Sequence, residues 1–371
     1  MCTDSIHSAV IDIEDINEVP AELIGSIIPP SSLSVGEFLG FNMPSGQYLD
    51  EGYPINEYIV QESPPPLPKP ELLRWLPVPT RADVRALSTR YFKKDPISSI
   101  SIPGSGIVFP LTIIPFWEEL WKARDLREKW DNAMDWLWAR THTIDTYHHA
   151  EWEIMSSHWE GPEAETILKL FSEEWMEGAQ LNTLLGKISS VSDRSDFLLV
   201  MTEFISLLKA DHDHRGDLSY KEPKALQMVV VSVLEGKRWV LGILNISNTH
   251  WTAYAISVRD GRVKYGDSLG VECRMPEEEE NAIWGWVNKL RQQMRLHPPP
   301  SQVVGWLPVN VQPDAHSCSV FAVNAIEAFI GSRCLIRGTV NAVTDYRIEL
   351  ALRIIGVEST PNDNVRNLGP F

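Results

Sequence analysis

The pair Asp260-Gly261, set between two β-rich runs late in the chain, restricts the fold of this sequence more than any other feature. Asp-Gly tolerates the positive φ angles of a tight hairpin, and here it joins residues 251–258 to a return strand through Val263 and Tyr265 that ends at Asp267. Two further runs, 228–234 (MVVVSVL) and 238–246, are dense in β-branched and apolar residues and are predicted as strands beside that hairpin. Most of the remaining pattern is helical in period. Helices are predicted through RADVRALSTRYF, capped by Thr80 or Asp83, and from Pro115 through Trp117, Leu120, Trp121, Trp130, Met134, Leu137 and Trp138. Others are predicted over 163–188, around 194–209, over 277–296 behind a run of Glu, from Cys318 onward, and over 343–355. With a short apolar strand near 303–311, the expected class is α+β, a mostly antiparallel central sheet flanked by helices.

Charge divides the chain. Of the net −17, residues 1–70 supply −10, from eleven acidic residues against one lysine, and they hold 10 of the 26 prolines, ending in ESPPPLPKP. They read as a disordered acidic arm running into a stiff polyproline stretch. Residues 71–159 read as a Trp-rich helical region, whose rings face a core, and 160–371 as the domain that holds the hairpin. No basic stripe of the kind phosphate backbones require is present, so nucleic acid is not an expected partner. No apolar run has bilayer length and the N-terminus lacks the layout of a secretory signal, so no membrane partner is expected. The four cysteines (2, 273, 318 and 334) form no CxxC pair, which argues against a disulfide framework or zinc site and for a reducing compartment, nucleus or cytoplasm. His148-His149 and the run Asp211-His212-Asp213-His214 lack ligand spacing, so neither metal nor cofactor is expected. In the arm, Val10, Ile11 and Ile13 with adjacent acids have the pattern of a segment that adds a strand to a partner's sheet, as SUMO-interacting motifs do.

The residues with chemistry to offer come late. A thiol attacks acyl carbon as thiolate, which a helix N-terminus and a proton-accepting His both favour. Cys318 opens an apolar helical run behind the turn-prone Pro313-Asp314-Ala315-His316-Ser317. His250 stands at a loop-to-strand junction, and Asp267 ends the return strand, so a carboxylate that orients an imidazole is available at the open end of one hairpin. A strict two-residue turn would set Asp267 opposite Tyr254 instead of His250, so a bulge or bend is expected between them. Gln312, six residues before Cys318, carries an amide that can donate to a developing oxyanion.

His250-Trp251, then Asp267-Ser268-Leu269 seventeen residues after the His, then Gln312 and Cys318, resembles the ubiquitin-like-protein-specific cysteine proteases of SUMO type. These are adenovirus-protease-like enzymes with a papain-like fold. Trp175-Met176, with Leu181 six residues after the Trp, is similar to the Trp-Leu helix start of that family, and the likeness runs from about 160 to the C-terminus. The resemblance implies Cys318 as nucleophile, His250 as general base and then acid, Asp267 as its orienter and Gln312 as oxyanion donor. It further implies that Trp175 and Trp251 bind substrate by covering the channel of its Gly-Gly end, where flat rings exclude any residue with a Cβ. Ser317 and Ser319 depart from the Asp-Cys-Gly usual in the family, and the loss of an Asp there is expected to favour a thiolate if anything. The implied function is a thiol protease or isopeptidase that cuts after the Gly-Gly of a ubiquitin-like modifier, SUMO first among them. Two other readings stay open: an impaired, non-hydrolytic binder of such a modifier, and a transposon-derived protease with another polypeptide substrate.

Overall fold

The computed structural model describes residues 27–44, 48–49, 51–54, 57–61, 73, 76–91, 99–103, 107–141, 159–191, 196–214, 221–299 and 301–355. The chain divides into two compact units, one of residues 1–135 and 141–159, the other of 136–140 and 160–371. The segment Val10, Ile11 and Ile13 and the pair His148-His149 lie outside the described residues.

The first unit contains α1 (Val35–Gly40), β1 (Ile59–Gln61), α2 (Arg81–Tyr91), β2 (Ser99–Ser101), β3 (Val108–Pro110) and most of α3 (Ile113–Thr141). β1, β2 and β3 form a three-stranded antiparallel sheet. Within 1–70, expected as an unstructured arm, Val35–Gly40 is helical and Ile59–Gln61 is a strand. α1 owes its start to a capping box, in which the Ser34 side chain accepts from the Glu37 backbone N–H and Glu37 accepts from the Ser34 N–H. Its Phe38 ring stacks on Trp159 at 4.2 Å. Pro115 sits in the first turn of α3, where its missing N–H costs nothing, and Trp117 and Trp130 are buried as the periodicity predicts.

The second unit is built on a five-stranded sheet of order β4 (Phe197–Leu199), β5 (Trp239–Ile246), β6 (His250–Ser257), β7 (Arg262–Gly266), β8 (Val304–Trp306). The two inner ladders are antiparallel and longer, the two outer ones parallel and short, so the sheet is mixed with antiparallel pairs in the majority. Helices α4 (Pro162–Leu170), α5 (Gly178–Val191), α6 (Phe204–Asp213), α7 (Lys224–Leu234), α8 (Glu277–Gln293), α9 (Cys318–Ile330) and α10 (Val340–Ile355) complete this α+β unit. α9, buried almost all round, packs directly on β6 and carries Cys318 as its first residue.

Three sequence expectations are corrected here. MVVVSVL is part of a helix, α7, because Leu226, Val229 and Val233 fall on one buried face at helical spacing while Met228 and Val231 point outward. Tertiary burial of that face outweighs the β preference of its valines. The helix predicted over 163–188 is two helices, α4 and α5, with Trp175 in the loop between them. The helix predicted around 194–209 begins instead as strand β4, and only Phe204–Asp213 is helical.

Candidate active site

Register decides the site. Ser257 pairs with Arg262, so residues 258–261 form a four-residue loop in place of the strict two-residue turn. Gly261 takes a φ of 61°, as the Asp-Gly signal requires. The two extra loop residues slide β7 by two positions, and Tyr254 faces Tyr265. Continued beyond Gly266, that register sets Asp267 beside Thr252, on the same face as His250 and one diagonal step away. The expected bulge is not needed. Gly266 itself lies where a Cβ would come within 2.6 Å of the Leu307 carbonyl oxygen, so a side chain there would push the return strand aside just before Asp267.

His250 Nε2 donates to Asp267 Oδ1 at 2.7 Å. Asp267 is buried, and it also accepts from the Leu269 backbone N–H at 2.8 Å and from the Tyr265 hydroxyl at 3.1 Å. Burial works to raise the Asp267 pKa, but the bonds from His250, Leu269 and Tyr265 outweigh it and the carboxyl is held below its ordinary range. With Nε2 committed to Asp267, Nδ1 is the ring nitrogen left to interact with Cys318. Burial pulls the imidazolium down, the bond to Asp267 and the influence of Cys318 pull it up, and the net effect pushes the His250 pKa up to about 9. Cys318 is buried at the N-terminus of α9, where first-turn N–H groups are unpaired by the helix and an anion is favoured.

Gln312 joins this group from the segment before α9. Its side chain accepts from the Ser268 hydroxyl and donates to the Asp314 carbonyl, and its backbone N–H donates to the Ser268 carbonyl at 2.9 Å. The Asp314 carboxylate accepts the backbone N–H groups of His316 and Ser317 at 2.9 and 2.8 Å and the Ser317 hydroxyl at 2.8 Å. Burial pushes the Asp314 pKa up, and those bonds bring it below its ordinary value. Asp314 thus sets a carboxylate on the segment four residues before Cys318. Ser319, the other departure, is a buried first-turn helix residue whose hydroxyl has no hydrogen-bond partner.

The two tryptophans differ in setting. Trp251 is buried, and its Nε1 donates to the Met176 carbonyl at 2.8 Å, while Trp175 is 43% exposed. Both line a cleft of about 390 Å³, together with Glu177, Gly178, Asn245 and Asn248. The loop that carries Trp175 is held by Arg347 of α10. This buried guanidinium donates to the carbonyls of Lys169 at 3.0 Å, Ser172 at 2.8 Å and Glu174 at 3.5 Å. Sequence reasoning missed Arg347, which stands among Asp345, Glu349 and Arg353 in the last helix and carries no signal that sets it apart. Asp211 pairs with Lys289 at 3.3 Å and His214 Nδ1 lies 2.8 Å from the Ala210 carbonyl oxygen. Among the described residues no group of His, Cys, Asp and Glu is arranged to hold a metal, and no helix is long and apolar enough to cross a membrane.

No protein-family model matches the sequence, and no curated protein matches it. Among solved structures the chain is similar to the C-terminal Ulp1 protease domain of yeast in complex with Smt3, the yeast ortholog of SUMO. That likeness covers 51% of this chain and 81% of that one, at 14% identity and a TM-score of 0.39. It is similar also to a de-sumoylating protease (52% and 86% covered, 15% identity, TM-score 0.37). A third is the effector XopD of Xanthomonas campestris bound to ubiquitin (48% and 92% covered, 13% identity, TM-score 0.31).

Proposed function

We infer that residues 160–371 form a thiol protease that cleaves after the C-terminal Gly-Gly of a ubiquitin-like modifier, SUMO first among the candidates. The observation that carries this reading is the His250 imidazole bonded to Asp267 at 2.7 Å, its charged form favoured by that bond and by Cys318, which opens a helix at its N-terminus. In the reaction, Cys318 Sγ as thiolate attacks the terminal glycine carbonyl carbon, and the carbonyl oxygen becomes an oxyanion. The free hydrogen of Gln312 Nε2 and the unpaired first-turn N–H groups of α9 receive that charge. Collapse breaks the C–N bond, and the His250 imidazolium gives its proton to the leaving lysine amine. A water then attacks the thioester while His250 takes its proton, which frees the modifier's carboxylate and the thiolate. The choice of a glycine tail rests on the resemblance of Trp175 and Trp251 to the rings that cover the Gly-Gly channel in the family, and both line this cleft.

The test is labelling of the full chain by C-terminal electrophile derivatives of SUMO and ubiquitin, with Cys318→Ala as control. A Cys318-dependent adduct supports the thiol chemistry and identifies the modifier. Binding without any adduct from the native chain replaces this reading with that of a non-hydrolytic binder. Neither binding nor adduct points to another polypeptide substrate.

A further inference from the structure

The turn Asp267–Gly270 serves two groups at once. Asp267 orients His250, and the next residue, Ser268, is 2% exposed and faces the other way, toward Gln312. Its hydroxyl donates to Gln312 Oε1 at 2.6 Å. On the far side of the amide, Nε2 donates one hydrogen to the Asp314 carbonyl at 2.5 Å. A carboxamide turned by 180° would set Oε1 against that carbonyl, acceptor on acceptor, so Asp314 selects the orientation and Ser268 holds it. The Ser268 carbonyl, accepting the Gln312 backbone N–H at 2.9 Å, fixes the same residue at a second point. Nε2 carries two hydrogens, and after the bond to Asp314 one remains for a substrate oxygen.

We propose that Ser268 is a positioning residue for the oxyanion donor, its hydroxyl locking the Gln312 amide with the free Nε2 hydrogen presented to the oxygen of the attacked carbonyl. The proposal rests on the reading of the site as a thiol protease only for its kinetic consequence; the locked amide is a property of the folded chain. The backbone bond between residues 268 and 312 also makes one unit of the orienter of the base and the donor to the oxyanion. A loss of the Ser268 hydroxyl frees the amide to rotate. The donor then has to be ordered during the reaction, which lowers kcat and leaves KM nearly unchanged.

Two measurements decide it. The first is a double-mutant cycle on turnover of a fluorogenic SUMO or ubiquitin C-terminal conjugate, with Ser268→Ala, Gln312→Ala and the pair. Removal of a whole oxyanion donor costs roughly 10²–10³ in kcat, so mispositioning it in Ser268→Ala is expected to cost about tenfold. Placed on Gln312→Ala the same change is expected to cost less than twofold, because no amide is left to hold. An equal cost in both backgrounds, or a Ser268→Ala enzyme as fast as the native one, overturns the proposal. Where Ser268→Ala folds poorly, Ser268→Cys, a weaker donor of similar size, is read in the same cycle. The second measurement is NMR of the Gln312 side-chain NH2 pair, assigned by its loss in Gln312→Ala. In the native chain the two protons are expected to be shifted from free-amide values and to exchange slowly, and in Ser268→Ala to collapse toward those values. Resonances unmoved by the substitution overturn the proposal whether or not the chain turns over any conjugate. A native chain that turns over nothing counts against the protease reading alone, and the amide resonances then decide whether Ser268 holds the amide.

Discussion

Asp267→Asn tests the whole arrangement through one atom. Asparagine keeps the shape and an acceptor for the Leu269 N–H, but it removes the charge opposite His250. With a pKa of about 9, about 99% of the imidazole is protonated at pH 7. Burial opposes that charge and the bond to Asp267 favours it more than any other contact does, so the substitution returns the ring to its ordinary value of about 6.5 or below. At pH 7 the charged fraction then falls to about a quarter or less, a loss of fourfold or more from charge alone. The larger loss is orientation, since Nε2–H no longer meets a carboxylate and the ring can present the wrong tautomer to Cys318; loss of such an orienter costs about 10⁴ in kcat in a Ser-His-Asp triad. For this chain the expected fall in kcat/KM lies between about 10²- and 10⁴-fold. The assay is hydrolysis of a fluorogenic SUMO conjugate from pH 5 to 10, with thermal melting as a check on folding. The native profile should lose activity as pH rises through about 9, where the imidazolium that protonates the leaving amine is lost. In Asp267→Asn that limb should move to about 6.5 or lower. A variant that keeps the alkaline limb near 9, or that stays within threefold of native activity, would refute the reasoning.

The remaining predictions concern stability and the substrate cleft. Because the folded pKa of His250 lies above its unfolded value, its contribution is complete below about pH 6.5 and lost as pH climbs through about 9. The melting temperature should therefore fall across that window in the native chain and much less in Asp267→Asn. Ser319→Ala removes a buried hydroxyl without a partner and adds a better helix former. It should stabilise by about 1 kcal/mol, or roughly 2–4 °C in melting temperature, and a lower melting temperature would show that the hydroxyl has a role. Arg347→Met takes the guanidinium from the Ser172 carbonyl and leaves the Lys169 carbonyl only the Ser172 hydroxyl, and at about 1–3 kcal/mol for a buried unpaired group it should lower the melting temperature by several degrees. Loosening of the Trp175 loop should also raise KM more than it lowers kcat, and an unchanged KM would separate Arg347 from the cleft.

Much of the site is legible in the sequence because its parts are short and local. Cys318 reads as the start of a helix from the turn-prone residues before it and the apolar run after it, and α9 begins there. The strands at 238–246 and 251–258 are legible for the same reason, since a dense β-branched run bounded by turn residues needs no knowledge of its neighbours. Of the residues the motifs single out, His250 and Asp267 are hydrogen-bonded to each other, and Gln312 is bonded to Ser268, the neighbour of Asp267, and to Asp314, on the segment that leads to Cys318. The order of those motifs along the chain is a property of sequence alone.

What tertiary structure decided is everything that depends on a distant partner. MVVVSVL has a strand's composition, and only the surface it buries makes it a helix. The hairpin loop length could not be read from Asp-Gly, because the pair is compatible with both a two-residue and a four-residue connection, and the two differ in where Asp267 arrives. Trp175 lies in a loop because Arg347, far along the chain, satisfies the carbonyls at the end of α4. Ser268 meets Gln312 across 44 residues of sequence. Sequence thus determined which chemical groups are present and in what order, through local propensity and turn chemistry. The fold determined which of them touch, because burial and register are set by non-local contacts that no short window contains.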